Sequence, residues 1–196
     1  MNLLRYQSKR RQAGFTILEV LVAGLITGIL AMSSFQFYVS MHNQTLTQEE
    51  VSDMQTNCRA SMHEIGHTLR MGGYKLGDTH NPFRIAGDSL YVFFNETQPV
   101  DTVLYFLQEF SDQEYAADYP RPQGMQIFKL MKKVNSQKAA VFADYIKNIR
   151  YNAVASDEVT VSVTIESQKP DETFQTNNGY RTFTLMDRVI LRNANL

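Results

Sequence analysis

Residues 62–70 read MHEIGHTLR, and His63, Glu64 and His67 within them spell H-E-x-x-H. On a helix, two histidines four apart can share one zinc ion, and the glutamate between them can activate a zinc-bound water. A catalytic zinc also needs a third protein ligand and a shaped, partly dry site. A longer zinc-binding form of the motif would place glycine at 70 and histidine at 73, where this chain has Arg70 and Gly73. His80 is the remaining nearby histidine, and it lies beyond a glycine break. A second residue with chemical potential is Glu19. Between Val20 and Gln48 there is no Asp, Glu, Lys or Arg. A carboxylate in such an apolar setting costs a few kcal/mol unless it has a partner. The competing reading is that Glu19 sits close enough to an interface to stay wet.

Both sites depend on one long element. Residues 1–14 form a basic, polar leader with Arg5, Lys9, Arg10 and Arg11. The apolar run 15–39 follows, long enough for a helix to cross a bilayer. It exceeds the apolar core of an ordinary secretory signal, and no A-x-A cleavage site ends it. The positive flank places the leader in the cytoplasm and the rest of the chain outside. No proline interrupts residues 15–71. Beyond the apolar run, Val51, Met54, Cys58, Met62, Ile65 and Leu69 recur at steps of three and four, one stripe of an amphipathic helix. Gly72 and Gly73 stop it after Arg70. A continuous helix of this span is roughly 80 Å long. At about 100° per residue, His63 and His67 fall roughly 140° and 180° from the stripe, on the face opposite the packing side. The HEIGH segment therefore reads as helix surface, with no metal and no catalytic residue assigned to it. Cys58 lies in the stripe and reads as a buried, inert thiol.

The segment Gly14-Phe15-Thr16-Ile17-Leu18-Glu19-Val20-Leu21-Val22-Ala23, behind a basic leader, resembles the processing signature of type IV pilins and pseudopilins. The resemblance implies cleavage by a prepilin peptidase between Gly14 and Phe15, N-methylation of Phe15, and a subunit-assembly role for Glu19. Phe15 and Glu19 are four apart, on one helix face. A carboxylate there is also favoured by the helix dipole, and it can reach the amine that cleavage creates, in its own chain or a neighbour's. Gly24 and Gly28 form a G-x-x-x-G pair that permits close helix approach. Residues 47–74 are similar to the end of the long helix in PilW-like minor pilins. Gln48, Val51, Met54, Gln55, Asn57, Arg59, Ala60, Arg70, Met71, Gly73 and Tyr74 carry that likeness, and Gly72 stands where alanine is more usual.

After Tyr74 the hydrophobic period changes. Residues 89–94, 102–107 and 125–134 read as strands, separated by turn chemistry at 95–100 and a proline-bearing loop over 110–124. Residues 138–149 read as one short helix. Val159, Val161, Val163 and Ile165 alternate with Thr160, Ser162 and Thr164, a half-buried strand. A polar loop with Asn177-Asn178-Gly179 precedes a last strand within 180–193. Asp112, Glu114 and Asp118 form a loose acidic group without the regular spacing of a calcium loop.

These readings combine into an α+β fold, a long N-terminal helix packed on an antiparallel sheet. The expected organisation is a leader at 1–14, a membrane and assembly half at 15–39, an amphipathic half at 40–73 and a sheet head at 74–196. A net charge of -1 and no basic stripe beyond the leader argue against direct nucleic-acid binding. No G-x-S-x-G, P-loop or dinucleotide turn is present, so neither enzyme nor cofactor is expected. The resemblance implies a minor pilin that helps initiate or cap a type IV pilus. Its partners are other minor and major pilins, the prepilin peptidase and the inner-membrane assembly machinery. The protein would sit in the inner membrane with a periplasmic head, then in the pilus; adhesion, motility and DNA uptake all remain open as the pilus role. A minor pseudopilin of a type II secretion system has the same shape. A membrane-anchored zinc hydrolase using His63, Glu64 and His67 is the reading of a different class.

Overall fold

The computed structural model describes residues 14–76, 81–94, 100–110, 122, 124–171 and 174–193. The chain divides into a unit that ends at Leu46 and a unit that begins at Thr47. Helix α1, Ile17–Met71, contributes to both.

In the first unit every described residue is exposed. No proline interrupts the helix there, and several of its hydroxyls bond back to its own carbonyls. Thr27 Oγ1 donates to the Ala23 carbonyl at 2.8 Å and Ser33 Oγ to that of Ile29 at 2.9 Å. Hydroxyls satisfied within their own helix suit a segment that meets hydrocarbon rather than water. This is a helix long and apolar enough to cross a membrane.

In the second unit seven strands form one antiparallel sheet in chain order: β1 Phe83–Ala86, β2 Ser89–Phe94, β3 Asp101–Glu109, β4 Phe128–Val134, β5 Ala140–Ala155, β6 Glu158–Glu166 and β7 Thr182–Ile190. Met54, Cys58, Met62, Ile65 and Leu69 of α1 are buried against Leu90, Val92, Val103, Tyr105, Leu130 and the inward residues of β5, β6 and β7. The stripe read from the sequence is thus the packing face, and Ser61, Gly66 and Thr68 widen it. Burying each large stripe side chain favours folding by about 1.5–3 kcal/mol. The helix stops where Gly73 takes φ 84 and its N–H donates to Phe93 O at 2.9 Å. A side chain at Gly73 would lie 2.6 Å from the Asn193 carbonyl oxygen. Gly72 is also tight: a Cβ would stand 3.1 Å from Val92 Cγ1 and 3.3 Å from Leu191 Cδ2. That crowding accounts for glycine at position 72.

The short helix expected over 138–149 is instead strand from Ala140 onward, the first part of β5. Its apolar spacing imitates a helix because the strand is bulged. The β4–β5 register slips twice between Phe128 and Met131, and the β5–β6 register slips between Ile146 and Asn148. Each bulge inserts one residue and breaks the period of two. The inward side chains therefore fall at Ile146, Ile149 and Tyr151, and Tyr145 adopts φ 57. The strands expected at 89–94 and 102–107 are present, as are those within 125–134, 159–165 and 180–193. β1 was not anticipated. Its four residues are too short to show alternation, and it is defined by the Gly87-Asp88 turn, with Gly87 at φ 59.

Candidate functional site

The N-terminus of α1 is organised by two side chains. The Thr16 N–H donates to Glu19 Oε2 at 2.8 Å, the Thr16 hydroxyl donates to the same oxygen at 3.0 Å, and the Glu19 N–H donates to Thr16 Oγ1 at 3.3 Å. This is a reciprocal capping box, T-x-x-E, which satisfies backbone donors that a helix start leaves open. Glu19 therefore has a partner within its own chain, Thr16, beside the amine of Phe15, a neighbour's amine or interfacial water that the sequence suggested. The signal was present in the spacing of Thr16 and Glu19. Phe15 is 87% exposed. Phe15, Glu19, Ala23 and Thr27, one helical face, line a shallow groove with Val20 and Gly24. Among the described residues nothing meets a Cβ placed at Gly24 or Gly28, so packing among them gives neither a reason to be glycine.

The H-E-x-x-H residues point in two directions. His63 and His67 are exposed, their rings nearly parallel with centroids 6.5 Å apart. Glu64 turns toward the sheet. Lys132 Nζ of β4 donates to Glu64 Oε1 at 2.5 Å, and the Tyr105 hydroxyl of β3 donates to the same oxygen at 3.3 Å. Tyr105 is in turn 2.8 Å from Thr68 Oγ1. The Lys132 hydrogen bond holds the Glu64 carboxyl below the usual carboxylate range, while burial pushes the Tyr105 hydroxyl up. An ionised carboxylate engaged by a lysine is an anchor between helix and sheet, while the two imidazoles are exposed. Among the described residues no three His, Cys, Asp or Glu side chains converge as metal ligands do. His80 lies outside the described residues, as do Asp112, Glu114 and Asp118. Lys132 carried no signal in the sequence, because its partner is 68 residues away. Cys58 is buried, with its Sγ 3.5 Å from the Val163 carbonyl, and burial pushes its thiol pKa up. A protonated, enclosed thiol is a poor nucleophile.

Comparison with known families matches residues 9–35 to the prokaryotic N-terminal methylation motif. No curated protein and no solved structure matches the chain. The matched segment supports a type IV pilin-like protein, pilin or pseudopilin, with a membrane-anchoring N-terminal helix.

Proposed function

We propose that this chain is a minor pilin of the PilW-like type, a structural subunit that helps initiate or cap a type IV pilus. The observation that carries this reading is the N-terminal methylation motif over residues 9–35. A prepilin peptidase cuts between Gly14 and Phe15, and the Phe15 amine is methylated. Residues 15–39 occupy the inner membrane, 40–73 continue the helix, and 74–196 form a periplasmic head that later reaches the cell surface in the filament. Glu19 then docks on the methylated amine of a neighbouring pilin, exchanging its contacts with Thr16. The continuous exposed apolar surface from Phe15 to Val39 supports this, since such a surface marks a partner or a membrane. The preference for a pilus over a type II secretion system rests on the likeness of residues 47–74 to PilW-like helices, because the methylation motif serves both machines.

Mass spectrometry of the protein taken from its native membrane tests the reading. The expected N-terminus is a methylated Phe15. A chain that still begins at Met1, or one cut near residue 40, rejects it. Co-purification with sheared pili, set against co-purification with secretion pseudopilins, separates the two machines.

A further inference from the structure

The end of β6, the middle of β5 and the turn before β7 bring three reactive side chains together. Lys147 Nζ donates to Glu166 Oε2 at 2.6 Å and to Asn177 Oδ1 at 2.7 Å. Asn177 Nδ2 donates to that same Glu166 oxygen at 2.8 Å and to the Tyr180 carbonyl at 2.9 Å. The amide of Asn177 is thereby fixed, its oxygen toward the amine and its nitrogen toward the carboxylate. Glu166 is 1% exposed, Lys147 36%. Ile165, Ser167 and Tyr180 beside them are buried. Two backbone irregularities create the cluster. The β5–β6 register slips between Ile146 and Asn148, leaving Lys147 as the residue without a register partner, and bulges re-aim side chains in this way. Asn177, Asn178 and Gly179 all take left-handed φ, at 53, 53 and 86, which folds Asn177 back toward β6.

We propose that Lys147 and Asn177 join in an intramolecular amide bond whose formation Glu166 promotes. The parts match the needs of that reaction: an amine, a carboxamide it already touches, and a carboxylate that touches both the nucleophile and the leaving nitrogen. Glu166, 1% exposed, is the proton acceptor that the Lys147 amine already touches. Lys147 gives a proton to Glu166, and its lone pair attacks Asn177 Cγ. The Cγ–Nδ2 bond breaks, and Glu166 returns the proton to the departing nitrogen. One hydrogen stays on the new amide nitrogen and the others leave as ammonium, so charge is conserved. Glu166 is regenerated. No oxidant, metal or cofactor enters. The product ties β5 covalently across β6 to the turn that leads into β7.

The test uses the full chain, extracted in detergent, as wild type, Lys147→Arg and Glu166→Gln. Intact mass and a proteolytic map are read for each. The wild type is expected to weigh one ammonia less than its sequence requires and to yield a branched peptide joining the Lys147 and Asn177 segments. Lys147→Arg keeps a cation facing Glu166, so it folds, and it should show neither signature. Glu166→Gln, where it folds, should lose most of the link. A succinimide at Asn178-Gly179 would also lose ammonia, but it would leave the two peptides separate. Recovery of both peptides as linear species from folded wild type overturns the proposal and leaves a hydrogen-bonded ion pair. A link that persists fully in folded Glu166→Gln overturns the role given to Glu166.

Discussion

At the scale of single residues, similar side chains have different tasks according to what they meet. Tyr105 and Tyr151 both point into the core from neighbouring parts of the sheet. The Tyr105 hydroxyl is matched by Thr68 and Glu64, whereas that of Tyr151 has no hydrogen-bond partner among the described residues. A buried hydroxyl without a partner costs about 1–3 kcal/mol. Tyr151→Phe is therefore expected to leave stability unchanged or raise it by up to about 1 kcal/mol, while Tyr105→Phe lowers it by a similar amount. Chemical denaturation of both variants checks the contrast. Glu64 and Lys132, 27% and 30% exposed, are screened only in part. Glu64→Gln should cost about 1 kcal/mol at neutral pH. Since the folded Glu64 carboxyl lies below its unfolded value of about 4.3, its contribution is fully present above that pH. It fades as the pH falls through the lowered folded value. The gap between wild type and Glu64→Gln should accordingly close in acid, and a gap that widens there would reject the pairing. For Glu19, glutamine preserves the capping acceptor while removing the charge. If docking needs the charge, Glu19→Gln and Glu19→Ala should both enter filaments poorly, by about tenfold, with normal membrane levels. Rescue by glutamine would reduce Glu19 to a helix cap.

At the scale of elements, α1 and β5 illustrate opposite relations between pattern and structure. The amphipathic end of α1 is what its spacing implies, and its cost of disruption follows from burial. Ile65→Ala, at a fully buried site on the stripe, should lose about 2–5 kcal/mol. The exposed pair behaves differently: His63→Ala with His67→Ala should change stability by no more than about 0.5 kcal/mol. The helix stop is equally specific. Gly73→Ala places a methyl against the Asn193 carbonyl at a left-handed φ, so a loss of at least about 2 kcal/mol is expected. Thermal melts of the head report all three. β5 carries a helix-like spacing that its neighbours override. Paired on both sides by β4 and β6, it gains two ladders of hydrogen bonds that a short isolated helix would forgo.

For the whole molecule, the core begins at Met54, and no residue before Thr47 belongs to its compact unit. A chain starting at Thr47 should fold, melt cooperatively and remain in solution without detergent. The full chain, with its exposed apolar segment, should partition into membranes or detergent. Size-exclusion chromatography of both forms decides the matter. If the shorter chain aggregates or fails to fold, the division of labour between anchor and head is wrong. The same shortened protein should carry no stoichiometric zinc, measured by elemental analysis; one tightly held zinc lost on replacing His63 and His67 would revive the hydrolase reading.

Much of this was determined by the chain alone. The uncharged run after Glu19, the absence of proline to residue 71 and the steps of three and four along the stripe are local properties. They fix a helix, one apolar segment and the inward face whatever else the chain does. The antiparallel head was legible where side chains alternate cleanly, as over Val159–Ile165. Tertiary structure decided what depends on partners distant in sequence. Residues 140–149 became strand because β4 and β6 flank them. Glu64 became an anchor because Lys132 meets it from across the core. Lys147, Glu166 and Asn177 share one oxygen because a bulge and a left-handed turn aim them there. Whether a charged side chain is solvated, paired or reactive depends on the groups that replace its water, and only the folded chain brings those groups to it.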